Sequence, residues 1–225
     1  IFQDPFSSMN PRMMVRDIIE EGMLAQKIFA GKEQRHERMV QLLEQVGMRA
    51  DALQRYPHEF SGGQRQRICI ARALAVEPKM LVCDEPTSAL DVSVQAQILN
   101  LLSSLQQDMD LSYIFITHNI SVVAYLAQEV AVMYLGRIVE IGPTQEVLTN
   151  PKHPYTKALL SVVPVPNPRL RRERVILQGE TPNPIHLPSG CRFHPRCPIA
   201  VERCKVDDPA YVDVGEGHQA ACWLA

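Results

Sequence analysis

A serine and two glycines, Ser61-Gly62-Gly63, stand directly before a helix predicted over residues 64–75. Because glycine has no side chain, the backbone N–H groups here are uncovered at the positive end of the helix dipole. A helix terminus of this kind is suited to binding phosphate. Ser61 can either cap the helix or bind the anion itself. Alone, the motif leaves both a phosphate site and an ordinary turn open.

Charged and polar side chains also follow two apolar runs. The runs at residues 80–83 and 113–116 predict fully buried strands of a parallel sheet. The first ends at Asp84-Glu85 and the second just before His118, and ligands of open α/β sheets bind at such strand ends. One carboxylate is suited to Mg²⁺, the other to acting as a base toward water, and the histidine to a γ-phosphate or that water. Taken alone, Asp84-Glu85 could be a solvated strand end and His118 a structural histidine. Together with the helix that follows the two glycines, these residues indicate a nucleotide site.

Four cysteines lie in the final segment, residues 190–225, which has few large apolar residues. A segment that buries so little core needs a staple, and a tetrathiolate metal site is one. The spacings exceed Cys-x-x-Cys, so they do not choose the metal, and free thiols remain an alternative. His194 is not expected to be a ligand, and Cys69 and Cys83 are expected to be small core residues. The four candidate ligands are Cys191, Cys197, Cys204 and Cys222.

The surrounding elements predict an α/β protein with a helical insertion. Helices are predicted over 13–29 and 32–46, before the helix that follows Gly63, with no strand between them. After the first strand, Asp91 is predicted to cap a helix. The remaining predictions are a helix over 120–126, a hairpin of strands 130–135 and 138–141, and a proline-rich linker over 164–188 that includes a basic run, 169–174. Strand and helix alternate as in a doubly wound sheet.

Composition excludes some functions. The chain has 225 residues and a formal net charge of −2, which gives no reason to expect nucleic acid as a partner. No apolar run approaches the roughly 20 residues that span a bilayer. We therefore expect a cytosolic protein, or one at a membrane only through partners, with its six cysteines reduced or bound to metal.

These motifs, taken in order, resemble those of ATP-binding-cassette (ABC) ATPases. Residues 80–85 resemble the Walker B strand with its following glutamate, and His118 resembles the H-loop histidine. The other matches are Ser61-Gly62-Gly63-Gln64 with the signature motif, Ser88-Ala89-Leu90-Asp91 with the D-loop and Gln3 with the Q-loop. The resemblance covers residues 1 to about 142.

Two later stretches narrow the resemblance to the ATPases of dipeptide and oligopeptide importers. They are Asn150-Pro151-Lys152-His153-Pro154-Tyr155-Thr156 and Gly190-Cys191-Arg192-Phe193-His194-Pro195-Arg196-Cys197-Pro198. The implied fold is a partial P-loop NTPase (RecA-like) α/β core with a helical subdomain at about 10–75, together forming an ATPase domain over 1–160. A small metal-stapled C-terminal extension would follow over 161–225. In these importers the extension can carry a [4Fe–4S] cluster, which we expect on the four cysteines, with Zn²⁺ as the alternative.

The resemblance also implies a role for each residue of the nucleotide site. Glu85 would polarise the attacking water and His118 would stabilise the γ-phosphate of ATP. Asp84 would hold Mg²⁺ through water, and Gln3 would contact the Mg²⁺ or the water. Phosphoryl transfer depends mainly on positioning and electrostatics, which suits a site completed by closure.

Closure would involve a second ATPase subunit, paired head to tail. The start of the signature helix, Ser61 to Gln64, would face the γ-phosphate bound by that partner, and Asp91 would cross the interface. The surface near residues 3–12 would receive a coupling helix from one of two membrane permease subunits. A peptide-binding protein would deliver substrate, and the chain would lie at the cytoplasmic face of the inner membrane.

The chain departs from the family pattern in one respect. It contains no Gly-x-x-x-x-Gly-Lys-[Ser/Thr] motif. We therefore expect a fragment that lacks the P-loop, is inactive alone and offers its signature face to a partner's ATP. The alternatives are a non-transport ABC ATPase and a catalytically inactive, metal-binding regulatory module.

Overall fold

Three helices follow one another at the start of the chain without an intervening strand: α1 (Val15–Ala25), α2 (Lys32–Gln45) and α3 (Gly62–Leu74). They confirm the three predicted helices of the insertion. α1 ends earlier than predicted because Lys27 takes a left-handed conformation (φ 57°) just beyond its end. Two short 3₁₀ helices, Ala50–Gln54 and Pro57–Glu59, connect α2 to α3.

This computed structural model describes residues 1–164 and 174–225, which form two units, 1–118 and 119–225. Most of the predicted basic run, 169–174, lies outside the described residues. The first unit also contains β1 (Met80–Asp84), α4 (Val92–Asp108) and β2 (Ser112–Ile116). Its core joins the inner faces of the helices to one face of the strands. The largest fully buried side chains of that core are Ile19, Met23, Leu42, Leu43, Ile68, Ile70, Leu74, Ile98 and Leu102.

The two strands of the first unit pair in parallel, with Asp84 opposite Ile116 at their ends. The expectation that both strands are fully buried is wrong. Leu81 and Cys83 are buried, whereas Val82 and Ile114 are each 49% exposed. The difference arises because the helices of this unit cover only one face of the sheet, and successive side chains of a strand point to opposite faces.

The second unit contains a four-stranded antiparallel sheet in the order β3-β4-β6-β5. The predicted hairpin is confirmed as β3 (Glu129–Tyr134) and β4 (Arg137–Pro143). Leu135 and Gly136 join them with positive φ angles of 46° and 73°, as a two-residue hairpin turn requires. The predicted strands thus belong to two sheets rather than to one doubly wound sheet in the described part of the chain.

The final segment adds two unpredicted strands to this hairpin. They are β5 (Val212–Gly215) and β6 (His218–Ala220), and β6 pairs with β4. The helices of the unit are α5 (Ile120–Leu126), α6 (Thr144–Thr149), α7 (Pro154–Ser161) and α8 (Glu202–Val206). Across residues 1–164 and 174–225, none of the helices is both long and apolar enough to cross a membrane.

Candidate functional site

The first residue of the chain lies alongside β1 and thereby positions Gln3. The Ile1 nitrogen donates to the Val82 carbonyl at 2.7 Å, and the Ile1 carbonyl accepts from the Asp84 N–H at 2.9 Å. This is the hydrogen-bond pattern of a parallel pair centred on Cys83. Two residues further along, Gln3 therefore lies level with Glu85.

The carboxylate of Glu85 is bound at both oxygens. Gln3 Nε2 donates to Oε2 at 3.0 Å, and His118 Nδ1 lies 2.8 Å from Oε1. A carboxylate accepts, so Nδ1 carries the proton in this contact. The side chain of Glu85 is 24% exposed and that of His118 is 75% exposed. The structure thus brings the three predicted catalytic residues together, in a position open to solvent.

The backbone of Glu85 is strained. Its φ angle is +43°, in the left-handed region that costs a non-glycine residue free energy. Its N–H donates to the Ile116 carbonyl, and its own carbonyl accepts from the Ser88 N–H and hydroxyl. These bonds from β2 and the following turn hold the unfavourable conformation.

The start of α3 forms a capping box. Ser61 Oγ accepts from the Gln64 N–H at 3.4 Å, and Gln64 Oε1 accepts from the Ser61 N–H at 3.0 Å. Of the two uses open to Ser61, the structure therefore shows helix capping. Gly62 and Gly63 are the first two residues of the helix, whose N–H groups have no acceptor within it. The motif thus presents two donors at the helix end.

The α3 start also packs closely on α4. A Cβ atom on Gly63 would lie 2.5 Å from Val94 Cγ1, and one on Gly62 would lie 3.3 Å from Leu90 Cδ2. Only glycine permits such an approach at the first of these positions. Asp91 occupies the N-cap position of α4 as predicted, but its exposed side chain does not form the capping hydrogen bond.

The loop after Gln3 is fastened to one face of α3, which the sequence did not predict. Arg72 Nη1 donates to the Ser8 carbonyl at 2.6 Å, and the Ser8 hydroxyl lies 3.3 Å from Cys69 Sγ. One helical turn before Cys69, the Arg65 guanidinium lies over the Phe6 ring, 4.8 Å from its centroid. In the sequence, the only indication of this contact was the spacing of Arg65, Cys69 and Arg72, which are four and three residues apart and so lie on one face of α3.

In the second unit, the four tail cysteines line a single small pocket that is partly open to solvent. The Cys191 N–H donates to the Cys204 carbonyl at 2.9 Å, and the Leu224 N–H donates to Cys222 Sγ at 3.4 Å. Burial raises the pKa of the Cys191, Cys197 and Cys222 thiols above the usual value. The structure therefore gathers all four predicted cysteines around one space.

The expected metal staple is not formed as a compact site. In the described ranges, 1–164 and 174–225, no three His, Cys, Asp or Glu side chains are arranged to hold a metal ion. The extension instead has an aromatic core, in which Phe193 is 1% exposed and packs edge-on against Tyr134. Tyr155 completes this cluster. The segment was predicted to need a metal because the sequence does not show that β3 and α7 supply aromatic partners to Phe193.

A buried carboxylate beside the cysteine cavity was also missed. Glu140 is fully buried and accepts from the backbone N–H groups of Lys152 (2.6 Å) and His153 (3.0 Å). His218 Nε2 lies 2.7 Å from the same carboxylate. Burial lowers the pKa of His153 to about 4, so its ring is neutral. In the sequence, the only indication of this site was a charged residue within the apolar stretch 138–141.

Two family descriptions match separate parts of the chain. "ABC transporter" matches residues 1–88, and "Oligopeptide/dipeptide transporter, C-terminal region" matches residues 139–204. The first match contains Gln3, Ser61, Asp84 and Glu85. The second contains three of the four tail cysteines.

Curated relatives match nearly the whole chain. The dipeptide transport ATP-binding protein DppF of Haemophilus influenzae is 51% identical over 99% of this chain and 68% of the relative. The di/tripeptide transport ATP-binding protein DppF of Pseudomonas aeruginosa is 50% identical over the same shares. A solved structure, cbiO1 of Clostridium perfringens from the ABC transporter complex cbiONQ, is 29% identical with a TM-score of 0.58. That comparison covers 67% of this chain and 58% of cbiO1, and it supports an α/β ABC ATPase fold.

Proposed function

The chain belongs to the ABC transporter family of peptide-transport ATP-binding proteins, and from this premise we propose that it couples ATP hydrolysis to import of dipeptides or oligopeptides. The observation that carries the proposal is the carboxylate of Glu85, bound by Gln3 and His118 at the end of a parallel strand. Carboxyl ends of parallel strands are where α/β proteins bind ligands.

Each residue of this group has a chemical task in hydrolysis. Glu85 orients and polarises the attacking water, since each carboxylate oxygen has one present partner and keeps a second lone pair for the water. His118, exposed and able to donate, stabilises charge on the γ-phosphate. Asp84 would hold Mg²⁺, with Gln3 as a second residue near it, and the ion, when bound, would neutralise charge on the phosphate oxygens.

The α3 start acts on ATP held by a second ATPase subunit. Gly62 and Gly63 present N–H donors at a helix terminus, and the capping box formed by Ser61 and Gln64 fixes their direction. Asp91 has no capping bond in its own helix, which leaves its carboxylate available to a head-to-tail partner.

Movement of the α3 start would be transmitted to the loop after Gln3 through the contacts of Arg65, Cys69 and Arg72. This loop is the surface proposed for a coupling helix of the permease subunits, and it presents the exposed aromatic ring of Phe6. The chain would thereby attach to the cytoplasmic face of the membrane as a peripheral subunit, with a peptide-binding protein on the opposite side.

The proposed domain division of the chain is an ATPase domain over 1–160 and an extension over 161–225.

The four tail cysteines form the proposed site of a [4Fe–4S] cluster. They line one cavity, and a backbone N–H already donates to the sulfur of Cys222, as occurs around cluster thiolates. The alternative occupant is a single Zn²⁺, which needs all four sulfurs about 2.3 Å from one point. When bound, the cluster supplies a redox-active and stabilising centre. Iron and acid-labile sulfide in anaerobically purified protein would be expected, and zinc in their place would decide for the alternative.

The function is tested by reconstituting the transporter, with this chain as an ATPase subunit, in liposomes. We expect ATP-dependent uptake of a labelled dipeptide and stimulation of ATP hydrolysis when the peptide-loaded binding protein is added. Hydrolysis without any peptide uptake, across a panel of dipeptides and longer peptides, would contradict the proposed transport role.

A further inference from the structure

The loop that follows Gln3 is a turn held by its own hydrogen bonds. The Asp4 carboxylate accepts from the N–H groups of Phe6 at 2.9 Å and Ser7 at 3.3 Å. The Asp4 carbonyl accepts from the Ser8 N–H at 3.2 Å. Gln3 is therefore bonded directly to the start of a turn whose two ends are fixed relative to each other.

Arg72 joins this turn to α3. Its Nη1 donates to the Ser8 carbonyl at 2.6 Å in a partly buried position, and a charge-assisted bond of this kind is stronger than one between neutral groups. The Ser8 hydroxyl donates to the carbonyl of Pro5, a buried residue, at 3.3 Å and lies 3.3 Å from Cys69 Sγ. The contact with Arg72 thus links the helix to the backbone of the turn itself.

The other end of the connection lies at the carboxylate of Glu85, to which Gln3 Nε2 donates at 3.0 Å. The contacts therefore run from Glu85 through Gln3 and the turn to Arg72. Arg72 belongs to the helix that begins with Gly62 and Gly63, the N–H donors assigned above to a partner's ATP. A shift of this helix would change where Gln3 is held.

We propose that Arg72 is a positioning residue for Gln3 and, through Gln3, for the carboxylate of Glu85. The hydrolytic site of this chain then depends on the position of α3. The inference rests on the proposed function of Glu85 and Gln3, and it adds a residue from a different element of the fold.

Loss of the Arg72 bond should lower the rate of hydrolysis. A displacement of about 1 Å that originates away from the chemistry can cost about 10²-fold in rate. We expect Arg72→Met, which keeps a long apolar side chain without donors, to lower kcat by about 10- to 100-fold. Arg72→Lys keeps the positive charge and N–H donors on a different head group, and its rate should lie between those of R72M and the wild type.

Arg67 provides a matched control on the same helix. Its Nη1 donates to the Val46 carbonyl at the end of α2, and this bond is also partly buried. Arg67→Met removes the same kind of bond without touching the turn after Gln3. A purely structural role for Arg72 predicts equal rate losses in R67M and R72M, whereas a positioning role predicts a loss in R72M with R67M close to the wild type.

The experiment measures steady-state ATP hydrolysis by the assembled transporter, with R72M and R67M each introduced into the wild-type chain and into a Gln3→Ala chain. Because Arg72 acts through Gln3, Q3A should lower kcat and R72M should lower it no further in the Q3A chain. Should R72M fail to assemble, R72K and Q3A complete the same cycle.

Rate losses that multiply in the double variant, or equal losses in R72M and R67M, would overturn the inference and leave the proposed function standing. A rate that Q3A leaves unchanged would instead contradict the proposed role of Gln3 itself, and the inference with it.

Discussion

Glu85 combines three properties that single residues rarely share. Its backbone is in the left-handed region, its carboxylate is bound at both oxygens, and its side chain is three-quarters buried. The sequence predicted an acidic residue at the end of this strand, because an acidic pair after an apolar run is a local pattern. It did not predict the φ angle of +43°, which depends on bonds from β2 and the following turn.

The backbone strain predicts a difference between two variants that both remove the carboxylate. Asparagine tolerates the left-handed region better than alanine does. We expect E85N to exceed E85A in free energy of unfolding by about 1 kcal/mol, measured by urea denaturation. Equal stabilities would indicate that the conformation is not strained.

Cys83 predicts a pH dependence of stability. Burial raises its pKa from 9.0 to about 11, so the native thiol keeps its proton between these values while the unfolded thiol loses it. The native state then binds more protons, and the free energy of unfolding should fall as pH rises from 9 to 11, by at most about 3 kcal/mol. The C83A variant should show a shallower slope over this window in urea titrations. Because Tyr113, whose pKa burial also raises, is present in both proteins, identical slopes would exclude Cys83 as a contributor.

Among the elements, the contact between α3 and α4 gives Gly63 a second role. The sequence predicted glycine here for phosphate access, whereas the structure shows that a side chain would also collide with Val94. That reason was not available from the sequence because it depends on how two helices pack.

The contact predicts a coupled pair of substitutions. G63A should destabilise the protein by about 1–3 kcal/mol through overpacking, and V94A in the same chain should recover part of that loss. A double-mutant cycle by urea denaturation should give a coupling of about 1 kcal/mol or more. Additive effects of the two changes would show that the helices adjust without cost.

The sheet of the second unit shows where prediction from sequence stops. The β3–β4 hairpin was predictable because its two-residue turn and apolar strands are adjacent in the chain. The pairing of β4 with β6 joins Glu140 to Ala220 across a long stretch of chain, and β6 has only three residues. Short strands with distant partners carry too few residues for a periodic pattern.

The hydrogen bonds of Glu140 lead us to expect that the stability of this sheet depends strongly on its carboxylate. In E140Q the side-chain amide cannot accept from all three of its present donors, so we expect a loss of about 2–4 kcal/mol in free energy of unfolding. Trp223, the single tryptophan, reports unfolding of this unit by fluorescence. The exposed E129Q on β3 is the control and should change stability by about 0.5 kcal/mol or less. Similar small losses in both variants would contradict the proposed anchoring.

At the scale of the whole molecule, the division of the described residues by contacts differs in position from the proposed domains. The described residues form units at 1–118 and 119–225, whereas the proposed domains meet near residue 160. The two divisions differ because the contacts group the tail with the hairpin that carries Glu140, whereas the proposed domains follow the motifs. Aromatic packing, strand pairing and the Glu140 network all connect residues of that hairpin or α7 to the tail, and none of them was visible in the sequence.

The central claim is that Glu85 activates water for ATP hydrolysis in a peptide importer. It is tested most directly by the steady-state ATPase rate of the assembled transporter with Glu85→Gln in this chain, alongside ATP-dependent subunit association measured by light scattering. Glutamine keeps the size of the side chain and one of its two acceptor oxygens but removes the base. The account predicts a rate lower by about 10²–10⁴-fold at this subunit's site, with association on ATP retained. A turnover at that site equal to wild type would contradict it.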